Sequence, residues 1–150
     1  MRPETYALYL DAAIAGYARD NVVAGRWPEA GAIERSRTGF ADLLPQGLAT
    51  PDNHLYEIHR SEGGPLLGFV WLAIQREHAT VQGFVYDLEI RLEYRRQGHA
   101  SRALAAVEAV ARAQGATSLG LHVFAFNQAA QLLYHRLGYQ VASLNMHKRL

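Results

Sequence analysis

The sequence predicts a single α/β domain whose elements run in the order ααβββαβαβ. Three observations carry that expectation. Apolar residues recur at every second position over Phe84, Tyr86, Leu88, Ile90 and Leu92, the period of a half-buried strand. Over Ala100, Ala103, Leu104, Val107 and Ala111 they recur at the i, i+3, i+4, i+7 spacing of an amphipathic helix. Between the two runs lies Arg95-Arg96-Gln97-Gly98-His99-Ala100, a turn that opens the helix. At 150 residues one domain is expected, and a chain of this size buries ~68–70% of its surface.

The first helix is expected from about Thr5 to Ala24, with Tyr6, Leu10, Ala13, Ile14 and Tyr17 on one side. Gly25 closes it and Trp27-Pro28 begins the next connection. A second helix covers roughly Glu29 to Leu44, where Ile33, Phe40 and Leu44 share a face. Pro45-Gln46-Gly47 and Thr50-Pro51-Asp52-Asn53 mark a loop. Strands follow from Leu55 to His59 and, after the turn Ser61-Glu62-Gly63-Gly64, from Leu66 to Ile74. The third strand runs from about Thr80 to Leu92, and the helix after the glycine turn ends near Gly115. Ser118 to Phe124 reads as a strand, Gln128 to Leu137 as a short helix stopped by Gly138, and Tyr139 to about Met146 as a last strand.

Composition excludes several classes of function. Net charge is +1, so no global field draws nucleic acid or anionic membrane. Fourteen of the fifteen basic residues are arginine, which reflects genome composition as readily as phosphate chemistry. The absence of cysteine removes disulfides, thiolate catalysis and Cys-type zinc sites. The seven histidines are scattered without metal-ligand spacing, and no metal is expected. Neither a signal-peptide pattern nor an apolar run of ~18 residues is present, so a cytoplasmic protein is expected. The Gly-Lys-Ser/Thr end of a P-loop is missing, which argues against nucleotide hydrolysis.

The turn itself points to a phosphate-bearing ligand. Helix N-termini offer free N–H groups and the positive end of the dipole, and the small residues Gly98 and Ala100 let a phosphate approach the backbone. His99 is expected to point outward. Two further blocks lie downstream: Asn127 with Ala130 and Leu133-Tyr134, then Leu137-Gly138-Tyr139.

With these blocks the chain resembles the GNAT superfamily of N-acetyltransferases over nearly its whole length. Arg95, Gly98 and Ala100 match the superfamily's Gln/Arg-x-x-Gly-x-Gly/Ala pyrophosphate turn. Leu121-His122-Val123-Phe124 and the closing Asn145-Met146 are similar to a group of small bacterial members. The resemblance implies a mixed central sheet whose strands splay at the coenzyme site. Residues 1–53 would form the helices and loop on the acceptor side, and 54–150 the sheet and coenzyme-binding core. It further implies acetyl-CoA as co-substrate, held by backbone groups of Leu88, Glu89 and Ile90. The amides from Arg96 through Gln97, Gly98, His99 and Ala100 to Ser101 would cradle the pyrophosphate. Asn127, in the block with Ala130, would bind the pantetheine arm, Arg136 the 3′-phosphate, and Tyr134 would face the thioester sulfur.

The implied reaction is acetyl transfer to a primary amine of a small molecule or peptide, by direct attack through a tetrahedral intermediate. An alkyl amine or α-amine, of ordinary pKa ~10.4 or ~7.7–8.0, must shed a proton first. A backbone N–H near Ile90 suits the oxyanion, and the Tyr134 phenol suits a leaving thiolate. Many members carry a mid-strand glutamate where this chain has Tyr86. The base candidates are therefore His122, which interrupts an apolar strand and reads equally as a core histidine, and Glu89 and Asp87 on the polar side of theirs. Tyr17, Trp27, Glu34, Trp71 and Tyr86 are candidate acceptor contacts or ordinary core. A non-catalytic acyl-CoA-binding or sensor domain is the alternative. A homodimer is compatible with either.

Overall fold

The computed structural model describes residues 1–77, 79–146 and 148. Helix α1 spans Pro3–Val23, with the proline in its first turn, where a missing N–H costs nothing. Helix α2 covers Ala32–Leu43 and packs along α1. Between them the fully buried Ser36 hydroxyl donates to the Ile14 carbonyl at 2.8 Å. Ile33, expected on the inner face of α2, is 46% exposed. In α1 the buried residues are Thr5, Tyr9, Ile14, Ala18 and Asn21, so Tyr9 replaces Tyr6 and Leu10 as the main anchor.

Strands β1 (Asn53–His59), β2 (Leu66–Glu77), β3 (Thr80–Ile90) and β4 (Ser118–Leu121) form one sheet in that order. The first two pairings are antiparallel and β3–β4 is parallel, so the sheet is mixed as expected. Helix α3 (His99–Ala113) makes the β3–β4 crossover and α4 (Gln128–Arg136) follows β4.

Each face of the sheet carries its own core. On one face Val70, Leu72, Ile74 and Val85 pack against Leu104, Val107 and Ala111 of α3, with Leu133 and Tyr134 of α4 at the margin. On the other, Leu55, Phe69 and Trp71 pack against Tyr9 and Leu44. Alternating side chains in β2 serve the two cores in turn, which is why its central residues are all buried.

The expected last strand is not formed among the described residues. Tyr139 lies against Tyr134, and its hydroxyl donates to Glu108 Oε1 at 3.4 Å. From Gln140 to Met146 every residue is exposed. The physical reason is periodicity: Val141 falls out of phase with Leu144 and Met146, so no single face collects all three. Among the described residues no helix is long and apolar enough to cross a membrane.

Candidate active site

A β-bulge builds the site. In the β2–β3 ladder Trp71 pairs with Asp87 but Leu72 pairs with Val85, so Tyr86 is an extra residue. A bulge bends its strand and resets which face the following side chains meet. Tyr86 stacks on Trp71 at 4.6 Å, and Asp87, directly opposite Trp71, also turns toward α1. Leu88 instead joins the α3 core. The period-two reading placed Asp87 on a solvated face. The bulge moves it inward, and its Oδ2 accepts a 3.0 Å hydrogen bond from the Tyr9 hydroxyl.

The same distortion opens the sheet. Pairing of β3 with β4 stops at Val85↔Leu121, although β3 continues to Ile90. Leu88, Glu89 and Ile90 therefore lie on a strand whose β4-side edge is open among the described residues. The Arg95 guanidinium donates to the Ile90 carbonyl at 2.8 Å, so that carbonyl is already engaged. The splay leads into a cleft of about 1290 Å³ between the sheet and the α1–α2 pair. It is lined by Asp87, Glu89, Arg95, His122, Asn127 and Tyr134 together with aromatic side chains of both walls.

Burial pushes the Asp87 carboxyl up to about 6 from its ordinary 3.8. The hydrogen bonds from Tyr9 and the Leu88 backbone oppose that rise, and the nearby Glu89 and Asp20 charges add to it. Burial and then Asp87 raise the Tyr134 phenol above its usual value, which keeps it a proton donor at neutral pH. His122 stands at the cleft edge, exposed, with its ring edge-on to Phe124 at 5.0 Å. Shielding by the wall and then the Arg26 charge lower its imidazole. Glu89 is also exposed.

The glycine turn leads directly into α3. Gly98, at φ +78°, is the N-cap of α3, a left-handed conformation that glycine adopts without strain. Arg96 adopts φ +61° without that excuse, a strain of about 1–2 kcal/mol. Arg102 Nη2 donates to the Gln97 carbonyl at 3.0 Å and to His99 Nδ1 at 3.0 Å, bracing the turn from below. His99 is buried rather than outward, which corrects the sequence expectation. It heads the stripe His99, Ala103, Val107, Ala111, spaced by four, so helical period alone carried the signal. Its burial, then Arg102 and Arg60, keep the imidazole pKa below its ordinary value.

Asn127 is the N-cap of α4, its Oδ1 accepting from the Ala130 N–H at 3.1 Å. That fixes the side chain and leaves the amide N–H₂ toward the cleft. Arg136 is exposed in the last turn of α4 and does not line the cleft. All five expected acceptor contacts, Tyr17, Trp27, Glu34, Trp71 and Tyr86, line the cleft. Trp71 is 1% exposed and donates to Asn53 Oδ1 at 2.8 Å, so it is a buried support behind Tyr86. Tyr9 was missed because α1 carries apolar residues all round, and the sequence gives no dominant face.

The sequence and the fold are matched by known proteins. The model of the acetyltransferase (GNAT) family matches residues 21–139. The chain belongs to the GNAT acetyltransferase family. It is 39% identical to the uncharacterized N-acetyltransferase YycN of Bacillus subtilis over 150 residues, covering 100% of this chain and 96% of that protein. It is 29% identical to YdgE of the same organism, again over 100% of this chain and 95% of the relative. The crystal structure of YycN superposes with a TM-score of 0.94 over 100% of this chain and 95% of the other. A more distant neighbour, the aminoglycoside N-acetyltransferase AAC(6')-Iy in complex with CoA, shares the fold. Its TM-score is 0.60 at 18% identity, over 76% of this chain and 90% of that one. This acetyltransferase is thus an acyltransferase by family, and its family uses acetyl-CoA.

Proposed function

We propose that this acetyltransferase moves an acetyl group from acetyl-CoA directly to a primary amine, with Asp87 accepting the amine proton and Tyr134 returning one to the leaving thiolate. The residues present fit the coenzyme. The open edge of β3 beyond Val85 suits an extended pantetheine arm added like a strand. The Asn127 amide and the α3 N-terminus, with its left-handed Gly98, suit the arm and the pyrophosphate. When bound, acetyl-CoA supplies the activated thioester.

The single observation that carries the reading is the Asp87–Tyr9 pair beside the end of strand pairing. A base must be ionised at working pH yet basic enough to take a proton, and a carboxyl of about 6 meets both conditions near pH 7. The Tyr9 hydroxyl on Oδ2 fixes the carboxylate facing the cleft. Tyr134, electrostatically coupled to Asp87, is protonated and lines the same cleft. Glu89 and His122 at the exposed edge serve to hold solvent and acceptor rather than to take the proton.

The test is thiol release from acetyl-CoA in the presence of a panel of amines. Amine-dependent release with a matching acetylated product supports the proposal. A protein that acetyl-CoA stabilises against heat, yet that releases no thiol with any of the amines, would be an acyl-CoA-binding domain.

A further inference from the structure

The acceptor side of the cleft carries an aromatic wall. Tyr17 sits at its centre, with ring centroids 5.4 Å from Trp27, 6.3 Å from Phe40 and 6.4 Å from Phe124. Phe40 reaches Trp71 at 5.8 Å and Trp71 reaches Tyr86 at 4.6 Å. One unbroken run of rings therefore joins the α1–α2 side of the cleft to the bulge that holds Asp87. Buried Trp71 supports this run from behind, but Tyr17 is 39% exposed despite touching three rings. Aromatic faces that could have been packed are instead presented to the cleft, an arrangement that suits a ligand with an apolar body.

The charges at the mouth define the rest of the ligand. Five carboxylates line the cleft, Asp20, Glu34, Asp42, Asp87 and Glu89, against four guanidinium groups, Arg19, Arg26, Arg35 and Arg95. Arg35 lies over the Trp27 ring at 5.3 Å, which places a fixed cation at the outer end of the wall. The cleft thus has a surplus of one carboxylate, enough for one ammonium but not for a second or third, and Arg35 opposes a polycation directly. The recessed carboxylate where one ammonium can end is Asp87.

Resting on the acetyl-transfer reading above, we propose that the acceptor is a monoamine with an aromatic body. Its ring stacks among Tyr17, Trp27, Phe40 and Phe124, and its amine reaches Asp87 past Tyr86. Polyamines and polycationic amino sugars are disfavoured by the single surplus carboxylate and by Arg35.

The experiment compares kcat/KM for 2-phenylethylamine, n-butylamine and spermidine at saturating acetyl-CoA. Burying a phenyl ring in such a wall is worth a ~10–200-fold preference over the short alkyl amine, and spermidine should fall at or below butylamine. In Trp27→Ala the phenylethylamine-to-butylamine ratio should drop at least ~10-fold, chiefly through KM. Tyr17→Leu keeps an apolar side chain on α1 and should reduce the same ratio. The coenzyme dissociation constant should stay at its wild-type value in both. Equal rates for all three amines, a preference for spermidine, or a ring preference unchanged in both variants would overturn this inference while acetyl transfer itself stands. Failure of every amine, with acetyl-CoA still bound, would overturn the acetyl-transfer reading as well.

Discussion

Asp87→Asn separates stability from catalysis in one substitution. Asparagine has almost the same shape and still accepts from the Tyr9 hydroxyl, but it cannot ionise. In the folded protein the Asp87 carboxyl titrates at about 6 against an ordinary 3.8. A raised carboxyl pKa means that the native state holds its proton more tightly than the unfolded chain does. Between about pH 4 and 6 the native state binds more protons, so stability falls as pH rises through that window, and the whole deficit is present above it. The shift of about two units corresponds to about 3 kcal/mol, and water in the cleft screens part of it. Asp87→Asn should therefore be about 1–3 kcal/mol more stable than wild type at pH 7.5. For a chain of this size that is roughly 2–4 °C in melting temperature per kcal/mol. The advantage should shrink as pH is lowered and vanish near pH 4. Turnover should fall ~10²–10⁴-fold, with loss of the limb of the wild-type pH–rate profile that rises through about 6. Melting curves and thiol-release rates on the same two proteins from pH 4 to 8 test both halves. A stability difference flat with pH would refute the raised carboxyl, and full turnover would refute the base.

Acetyl-CoA at a hundredfold excess over its dissociation constant should stabilise the protein by ~2.7 kcal/mol, with ATP doing much less. Gly98→Glu should abolish the shift, whereas Gly98→Ala, which meets the same positive φ without the charge, should lose stability but keep a measurable coenzyme shift. Tyr134→Phe should lower turnover by one to several orders of magnitude with coenzyme affinity near wild type; full turnover across the pH range would leave Tyr134 as a packed ring. His122→Ala and Glu89→Gln should each keep turnover within about threefold of wild type, and a loss of ~10²-fold or more in either would move the base to that residue.

Local pattern was enough to place most elements. The Leu104–Val107–Ala111 stripe, the left-handed glycine at the head of α3 and the Asn127 cap are consequences of helix geometry, which three to five neighbouring residues determine. For the same reason the turn and the family resemblance were readable before any contact was known. His99 was expected to point outward and is buried, although its spacing of four from Ala103 on the buried stripe carried that signal.

What the sequence could not disclose is what depends on partners distant along the chain. A bulge at Tyr86 is defined against β2, and its effect is to put Asp87 beside Trp71 rather than in solvent. Tyr9 meets that carboxylate across 78 positions, and no periodicity within α1 marks it, because that helix is packed against both α2 and the sheet. The segment from Gln140 to Met146 shows the opposite failure, apolar residues that suggest a strand but lack the spacing to fill one face. Sequence alone thus determined the types of all elements but the last and the glycine turn before α3, which are short-range properties of the backbone. Tertiary structure decided where the strands part, which carboxylate is desolvated and which aromatic rings line the cleft, because strand register and burial exist only between segments.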